Sequence, residues 1–200
     1  MDAGSWDARY RASDLVWGVA PNRWVEQEVA GLRPGNALDL ACGEGRNAIW
    51  LARQSWRVTA VDFSAVAIGK GRQLEEHELA KPSIAWVVAD ATTFTAAETV
   101  DLALLCYLQL PAGERRAAVR HAAKALAPGG VLLVIAHDSR NLTDGAGGPQ
   151  DPAVLYTATD VAGDLAGLDL TVEKAQEVLR PVEGAERPAI DALLRASRPA

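Results

Sequence analysis

Leu38-Asp39-Leu40-Ala41-Cys42-Gly43-Glu44-Gly45-Arg46-Asn47-Ala48 carries an apolar run through a turn on glycine and into an amphipathic stretch. Gly43 and Gly45 can adopt left-handed conformations and have no Cβ, so the backbone can bend tightly and lie close to a bound nucleotide. Asp62 ends the next apolar run, Val58-Thr59-Ala60-Val61-Asp62, seventeen residues beyond Gly45. That is close to the roughly 20 residues at which a carboxylate accepts hydrogen bonds from a ribose diol. Turn and acid together imply an adenosine-type ligand.

Outward from this stretch, short β-branched runs alternate with longer amphipathic ones, as in a parallel sheet with crossover helices. Strands are expected at Ala37–Ala41, Arg57–Val61, Ile84–Ala89, Val100–Cys106 and Val131–Ala136, and helices at Arg23–Ala30, Gly45–Gln54, Ala65–Leu79 and Gly113–Leu126. Leu102-Ala103-Leu104-Leu105 and Val131-Leu132-Leu133-Val134-Ile135 are apolar on both faces, which places them in the middle of the sheet. Ser64 is placed as an N-cap, and Gly31 and Pro128-Gly129-Gly130 as stops. Ser139–Pro152, rich in Gly, Asp and Pro, is expected to be a long loop, followed by a short helix at Asp160–Leu165. Leu170–Leu179 and Ala189–Leu194 flank Glu183-Gly184-Ala185-Glu186 and suggest an antiparallel hairpin. The fold class is therefore α/β, a Rossmann-like, doubly wound, mostly parallel seven-stranded sheet with a C-terminal antiparallel hairpin.

With 200 residues, one domain is expected. Its parts are an N-terminal lid and helix at 1–35, a cofactor-binding core at 36–138, a loop at 139–159, and a helix and hairpin at 160–200. A net charge of −6 opposes nucleic acid or an anionic membrane as partner. The start Met1-Asp2-Ala3-Gly4-Ser5-Trp6-Asp7 has neither a basic opening nor a hydrophobic signal core, and no run is long enough to span a bilayer, so the chain is expected in the cytoplasm. Cys42 and Cys106 match neither a zinc site nor a disulfide framework; no metal is expected.

Gly43, Gly45 and Ala48 also satisfy the relaxed dinucleotide pattern, which leaves an NAD(P)-dependent oxidoreductase open. Asp39 weighs the other way: a carboxylate near the turn is awkward beside a pyrophosphate and favourable beside the ammonium and sulfonium of S-adenosylmethionine. Here the chain resembles the class I S-adenosylmethionine-dependent methyltransferases. Asp39 to Asn47 is similar to their first motif, and Cys42-Gly43-Glu44-Gly45-Arg46-Asn47 resembles the tellurite-resistance methyltransferase branch in particular. Val61-Asp62-Phe63-Ser64 resembles the second motif, Ala89-Asp90-Ala91 the turn after strand three, and Leu126-Ala127-Pro128-Gly129-Gly130 the turn before strand five; Ala41 stands where the family more often has glycine.

The resemblance implies S-adenosylmethionine as cofactor and S-adenosylhomocysteine as its product. By it, Asp39 would lie near the amino-acid part, Ala41, Gly43, Gly45, Arg46 and Asn47 around the turn beneath, Asp62 with Phe63 and Ser64 at the ribose, and Asp90 with Ala91 at the adenine. Phe63 would stack on adenine or simply pack in the core. Cys106, ending strand four, would border the cofactor, although a free cysteine is by default a small buried hydrophobe. Tyr10 and Trp17, with Trp6, would close over the cofactor or only anchor an arm.

Methyl transfer asks the protein chiefly to align a nucleophile and exclude water. His137, directly after strand five, is the candidate base, the other reading being a histidine bonded to loop backbone. Tyr107 and Gln109, after strand four, could orient a nucleophile or merely pack, and Arg140 or Arg180 could attract an anionic substrate. His77 and His121 are expected to be solvated. The expected function is methyl transfer to a small-molecule acceptor by a monomer or homodimer, with a non-catalytic S-adenosylmethionine-binding protein as the further alternative.

Overall fold

The computed structural model describes residues 3–79, 81 and 83–200; Met1, Asp2, Ala80 and Pro82 lie outside the described residues. Seven strands form one sheet: β1 (Asn36–Leu40), β2 (Arg57–Asp62), β3 (Ile84–Val88), β4 (Val100–Cys106), β5 (Leu126–His137), β6 (Thr171–Arg180) and β7 (Ala189–Ser197). The helices are α1 (Ala3–Arg11), α2 (Arg23–Val29), α3 (Arg46–Arg53), α4 (Ala65–Glu78), α5 (Ala112–Lys124), α6 (Asn141–Asp144) and α7 (Ala158–Asp164). The strand order is β3-β2-β1-β4-β5-β7-β6. The first five strands run parallel, and β7 lies antiparallel between β5 and β6. The order reverses between β1 and β4, which opens a crevice at their carboxyl ends, the usual ligand position in open α/β sheets.

Strand alternation divides the apolar residues between two cores. Leu38, Leu40, Ala103, Leu105, Leu132 and Val134 pack on α5 and α7. Ala37, Val58, Ala60, Leu102, Leu104, Leu133 and Ile135 pack on α2, α3 and α4. Burial of β4 over Leu102–Leu105 and of β5 over Val131–Ala136 on both faces follows from their central place and from apolar residues at each of these positions. The same period of two puts Asp39, Asp62, Cys106, His137, Arg180 and Asp191 on the face that carries α2 to α4. Several polar groups are thereby gathered at one end of one face.

Local chemistry sets the ends of the elements. Ser64 caps α4 by accepting from Ala67 N at 3.1 Å, and Thr157 with Asp160 forms a capping box that starts α7 two residues before the expected Asp160. The helix expected over Gly113–Leu126 stops at Lys124, because Leu126 already pairs with Val100 to open β5. Pro128-Gly129-Gly130 therefore lies within the span of β5, and a Cβ on Gly130 would sit 2.9 Å from the Ala127 and Val100 carbonyl oxygens. Ser139–Pro152 is not wholly irregular: Asn141–Asp144 is a helical turn, and a 3-10 turn spans Pro152–Val154. The first turn is held by Asn141, whose Oδ1 accepts from Ile190 N at 2.7 Å while its Nδ2 donates to the Gly147 carbonyl at 2.8 Å. α1 escapes sequence patterning because only Tyr10 of its nine residues is buried.

Candidate cofactor and acceptor site

β1 ends on Asp39 and Leu40, and Asp39 is fully buried with neither carboxylate oxygen hydrogen-bonded. Burial and the neighbouring Asp62 push its pKa up to about 7, while Arg46 and the Ala48 amide pull the other way without closing a hydrogen bond. An unpartnered buried carboxylate is costly. It marks this end of the crevice as built for a group that is cationic or donates hydrogen bonds.

Asp62 ties the turn down. Its Oδ2 accepts from Gly43 N at 2.8 Å and its Oδ1 from Ser64 N at 2.9 Å. Both Gly43 and Gly45 have positive φ, as expected of the turn, and so does Ala41 at +65°. A non-glycine residue in that region stores strain, and such strain gathers at binding sites. Gly45 has a second constraint that the motif does not show: a Cβ there would lie 2.2 Å from the Trp86 ring, which also presses on Gly71 of α4. Asn47 is buried at the start of α3.

An N-terminal segment covers this turn. A Cβ on Gly43 would meet the Tyr10 hydroxyl at 2.9 Å and the Trp17 indole at 3.8 Å. Trp6 stands 5.6 Å from Tyr10 and 6.4 Å from Trp17, centroid to centroid, with the Arg9 guanidinium against Trp6 and Trp17. The segment is fastened from below. Lys70 donates to the carbonyls of Tyr10, Ser13 and Asp14, and Glu44, also in contact with Lys70, accepts from Val16 N at 2.9 Å. Arg46 donates to the Trp17 carbonyl at 3.4 Å, and Ser64 Oγ donates to Asp7. Lys70→Ala is therefore expected to speed amide exchange across Ala3–Trp17 by about 10- to 100-fold, the equivalent of roughly 1.5–3 kcal/mol of charged hydrogen bonding. Exchange in the central strands should not change, which hydrogen-exchange mass spectrometry can check.

The remaining expected cofactor contacts are less committed. Phe63 is half-buried at the end of β2 and belongs to neither core. Asp90 is exposed and spends its Oδ1 on Thr92, accepting from both N and Oγ1 at 2.8 Å, while Ala91 is buried against the α5 core. Cys42 and Cys106 are both free thiols.

Beyond β4 the polar residues form one network around Asp191, which is fully buried on β7. Its Oδ2 accepts from Tyr107 Oη at 2.8 Å, Arg180 Nε at 2.8 Å and Trp24 Nε1 at 3.1 Å. His137 Nδ1 lies 3.5 Å from Asp191 Oδ1. The Tyr107 hydroxyl also accepts from Arg180 Nε at 3.0 Å and Asn22 Nδ2 at 3.3 Å, which leaves it no proton or open lone pair for a nucleophile. Burial, and then Asp191, push its phenol well above the ordinary range. Tyr107 itself has φ +60°, an outlier for so bulky a residue. Gln109 is likewise engaged, accepting from His137 N at 2.9 Å and donating to the Val154 carbonyl at 2.7 Å. Arg140 makes exposed surface pairs with Asp144 and Glu177.

The two ends of this crevice are continuous. Asn22 N donates to Asn47 Oδ1 at 2.9 Å while its side chain reaches Tyr107, and the Cys106 thiol is pushed up by burial with both Asp39 and Asp191 contributing. Asp191, Trp24 and Asn22 are absent from the sequence-based set. A lone aspartate inside the apolar run Ala189-Ile190-Asp191-Ala192-Leu193-Leu194 was the available signal.

A mixed sheet of this order, with a glycine turn after β1 and an acid ending each of β1 and β2, defines a Rossmann-like protein of the methyltransferase type. Residues 37–130 match the family described as a methyltransferase domain, and the chain is similar there to the class I S-adenosylmethionine-dependent methyltransferases. It is 34% identical over 137 residues to nodulation protein S of Rhizobium tropici, covering 62% of this chain and 56% of that protein. Among solved structures, the N-methyltransferase NodS of Bradyrhizobium japonicum, in complex with S-adenosyl-L-homocysteine, has the same fold at 21% identity, with a TM-score of 0.74 and full coverage of both chains. A structure described by the conversion of a disulfide bond into a thioacetal group in echinomycin biosynthesis aligns at 25% identity and TM-score 0.79, over 98% of this chain and 92% of that one. The chain spans roughly a third to just over half the length of the first curated relatives it matches. No helix among the described residues is long and apolar enough to cross a membrane.

Proposed function

We propose that this chain, acting as one domain, transfers the methyl group of S-adenosylmethionine to a small-molecule acceptor. The observation that carries the proposal is the orphaned Asp39 carboxylate, buried at the β1 end beside a glycine turn. Its chemistry fits the cationic amino-acid portion of that cofactor and fits a dinucleotide pyrophosphate poorly. Asp39 would face the ammonium, Gly43 and Gly45 with Ala41, Arg46 and Asn47 would shape the turn, Asp62 with Ser64 would serve the ribose, and Phe63 would pack on the adenine face. Asp90 and Ala91 would border the adenine, and Tyr10 and Trp17 would exclude water. When bound, the cofactor supplies an electrophilic methyl group; the protein's own residues align the acceptor and take up its proton.

The acceptor would lie over the ends of β4 and β5, where His137 is the base and Tyr107 holds the network in place. The likeness to the structure concerned with thioacetal formation, and the tellurite-branch form of the first motif, favour a soft nucleophile such as a thiol or chalcogen oxyanion. The likeness to NodS keeps nitrogen acceptors in the panel.

Calorimetry with S-adenosylhomocysteine and NADH tests the cofactor, and S-adenosylhomocysteine release across thiol, phenol, amine and oxyanion acceptors tests the activity. Binding of NADH with no response to S-adenosylhomocysteine would defeat the proposal. Asp62→Ala is expected to weaken S-adenosylhomocysteine about 10- to 100-fold, roughly 1.5–3 kcal/mol, because it removes both the ribose acceptor and the restraint on Gly43.

A further inference from the structure

His137 ends β5 directly opposite Asp191 of β7 in the antiparallel register. The two imidazole nitrogens have different surroundings. Nδ1 is buried without a hydrogen bond and its near acceptor is Asp191 Oδ1, at 3.5 Å. The same edge is sealed by the loop after β5, since Gly148, at φ +80°, would place a Cβ 3.0 Å from Nδ1. Nε2 is not among the buried unpartnered atoms, and the side chain keeps 15% of its surface exposed. One nitrogen is buried against a fixed anion, and the other is not.

We propose that Asp191 is a positioning residue which holds His137 as the Nδ1–H tautomer, so that Nε2 is the base toward acceptors that lose a proton on methylation. The inference rests on the methyltransferase reading of the site and deepens it by naming the acceptor class: a protic nucleophile, such as a thiol or phenol. An acceptor X–H forms its bond to the methyl carbon as the sulfonium S–C bond breaks, and its proton passes to Nε2 and then to water.

The groups that face His137 agree with this role. Asp191 comes from β7 and Arg180 from β6, while the Tyr107 ring, after β4, lies against the imidazole at a tilt of 35°, with centroids 4.8 Å apart. Asp138, its chain neighbour, directs its Oδ1 to Arg140 N. Tyr107 and Arg180 engage Oδ2 at 2.8 Å, which leaves Oδ1 turned to the imidazole, with a longer contact to Arg180 Nη2 at 3.4 Å. Burial and then Arg180 lower the His137 pKa against the pull of Asp191, so the ring stays neutral at physiological pH, as a base must. In unliganded enzymes such contacts are often long and tighten on binding.

The test is two-bond 15N–1H correlation NMR of the unliganded protein at pH 8, with His137→Gln used to assign the signal among the three histidines. Nδ1–H is expected in the unsubstituted protein. In Asp191→Asn the amide can donate to Nδ1, and the tautomer should switch to Nε2–H. Turnover of a protic acceptor should fall about 100-fold or more, while S-adenosylhomocysteine affinity stays within about twofold. An Nε2–H tautomer in the unsubstituted protein would overturn the proposal even if Asp191→Asn failed to fold. So would an Asp191→Asn protein that folds and keeps both tautomer and turnover. Failure of the unsubstituted protein to bind S-adenosylhomocysteine would instead remove the methyltransferase reading, and the acceptor class with it, leaving the tautomer as a separate result.

Discussion

Asp191→Ala is expected to lower the unfolding free energy by about 3–5 kcal/mol, the usual loss when one partner of a buried ion pair is removed. Asp191 is fully buried, and its Oδ2 alone accepts from Tyr107, Arg180 and Trp24. Truncation leaves the half-buried Arg180 guanidinium without its counter-ion and the Trp24 indole without an acceptor. It also removes the tie between α2, the end of β4 and the C-terminal hairpin, elements far apart in sequence. Urea unfolding followed by tryptophan fluorescence would measure the loss. A change under about 1 kcal/mol would mean that the network contributes little beyond packing.

Asp39→Asn is expected to act in opposite directions on stability and on binding. In the unfolded chain the carboxyl titrates near 3.8; in the fold its pKa is about 7. The fold therefore favours the neutral acid. That advantage is complete below about pH 4, is lost as pH rises toward 7, and becomes a cost once the buried group is ionised. An asparagine cannot ionise, so at pH 8 the variant should be more stable than the unsubstituted protein by about 2–4 kcal/mol, with a smaller gain of about 1–2 kcal/mol at pH 5 and little difference below about pH 4. S-adenosylhomocysteine should bind the variant about 10- to 100-fold more weakly, because a charged contact to the ammonium is lost. In the unsubstituted protein, affinity should rise with pH between 6 and 8 as Asp39 ionises. Thermal denaturation and calorimetry at the two pH values check both signs. A variant less stable at pH 8 would mean that a partner neutralises Asp39 in the free protein.

The parallel core was legible because its signals are local. β1 to β5 and α2 to α5 lie where apolar period and capping place them, with shifts of a few residues at their ends. The glycine turn and the two acids were legible for the same reason: strand ends are marked by the residues that leave them. The start of β5 was not, because Leu126 and Ala127 look like the last turn of a helix until Val100 lies beside them. α1 was not, because its side chains have little apolar pattern and its position depends on Lys70 and Glu44, about sixty and thirty residues away.

The chain's one-dimensional pattern determined a doubly wound sheet, a glycine turn after β1, the acids Asp39 and Asp62, and a histidine at the end of β5. Each is written in a period, a cap or a spacing within some thirty residues. Tertiary structure alone decided that Asp39 is left without a partner, that Trp86 enforces glycine at position 45, and that Asp191 joins His137, Tyr107, Arg180 and Trp24. These depend on which strands become neighbours and in which register. A one-residue slip of the hairpin would turn Asp191 to the opposite face of the sheet, and nothing within its own strand sets that choice.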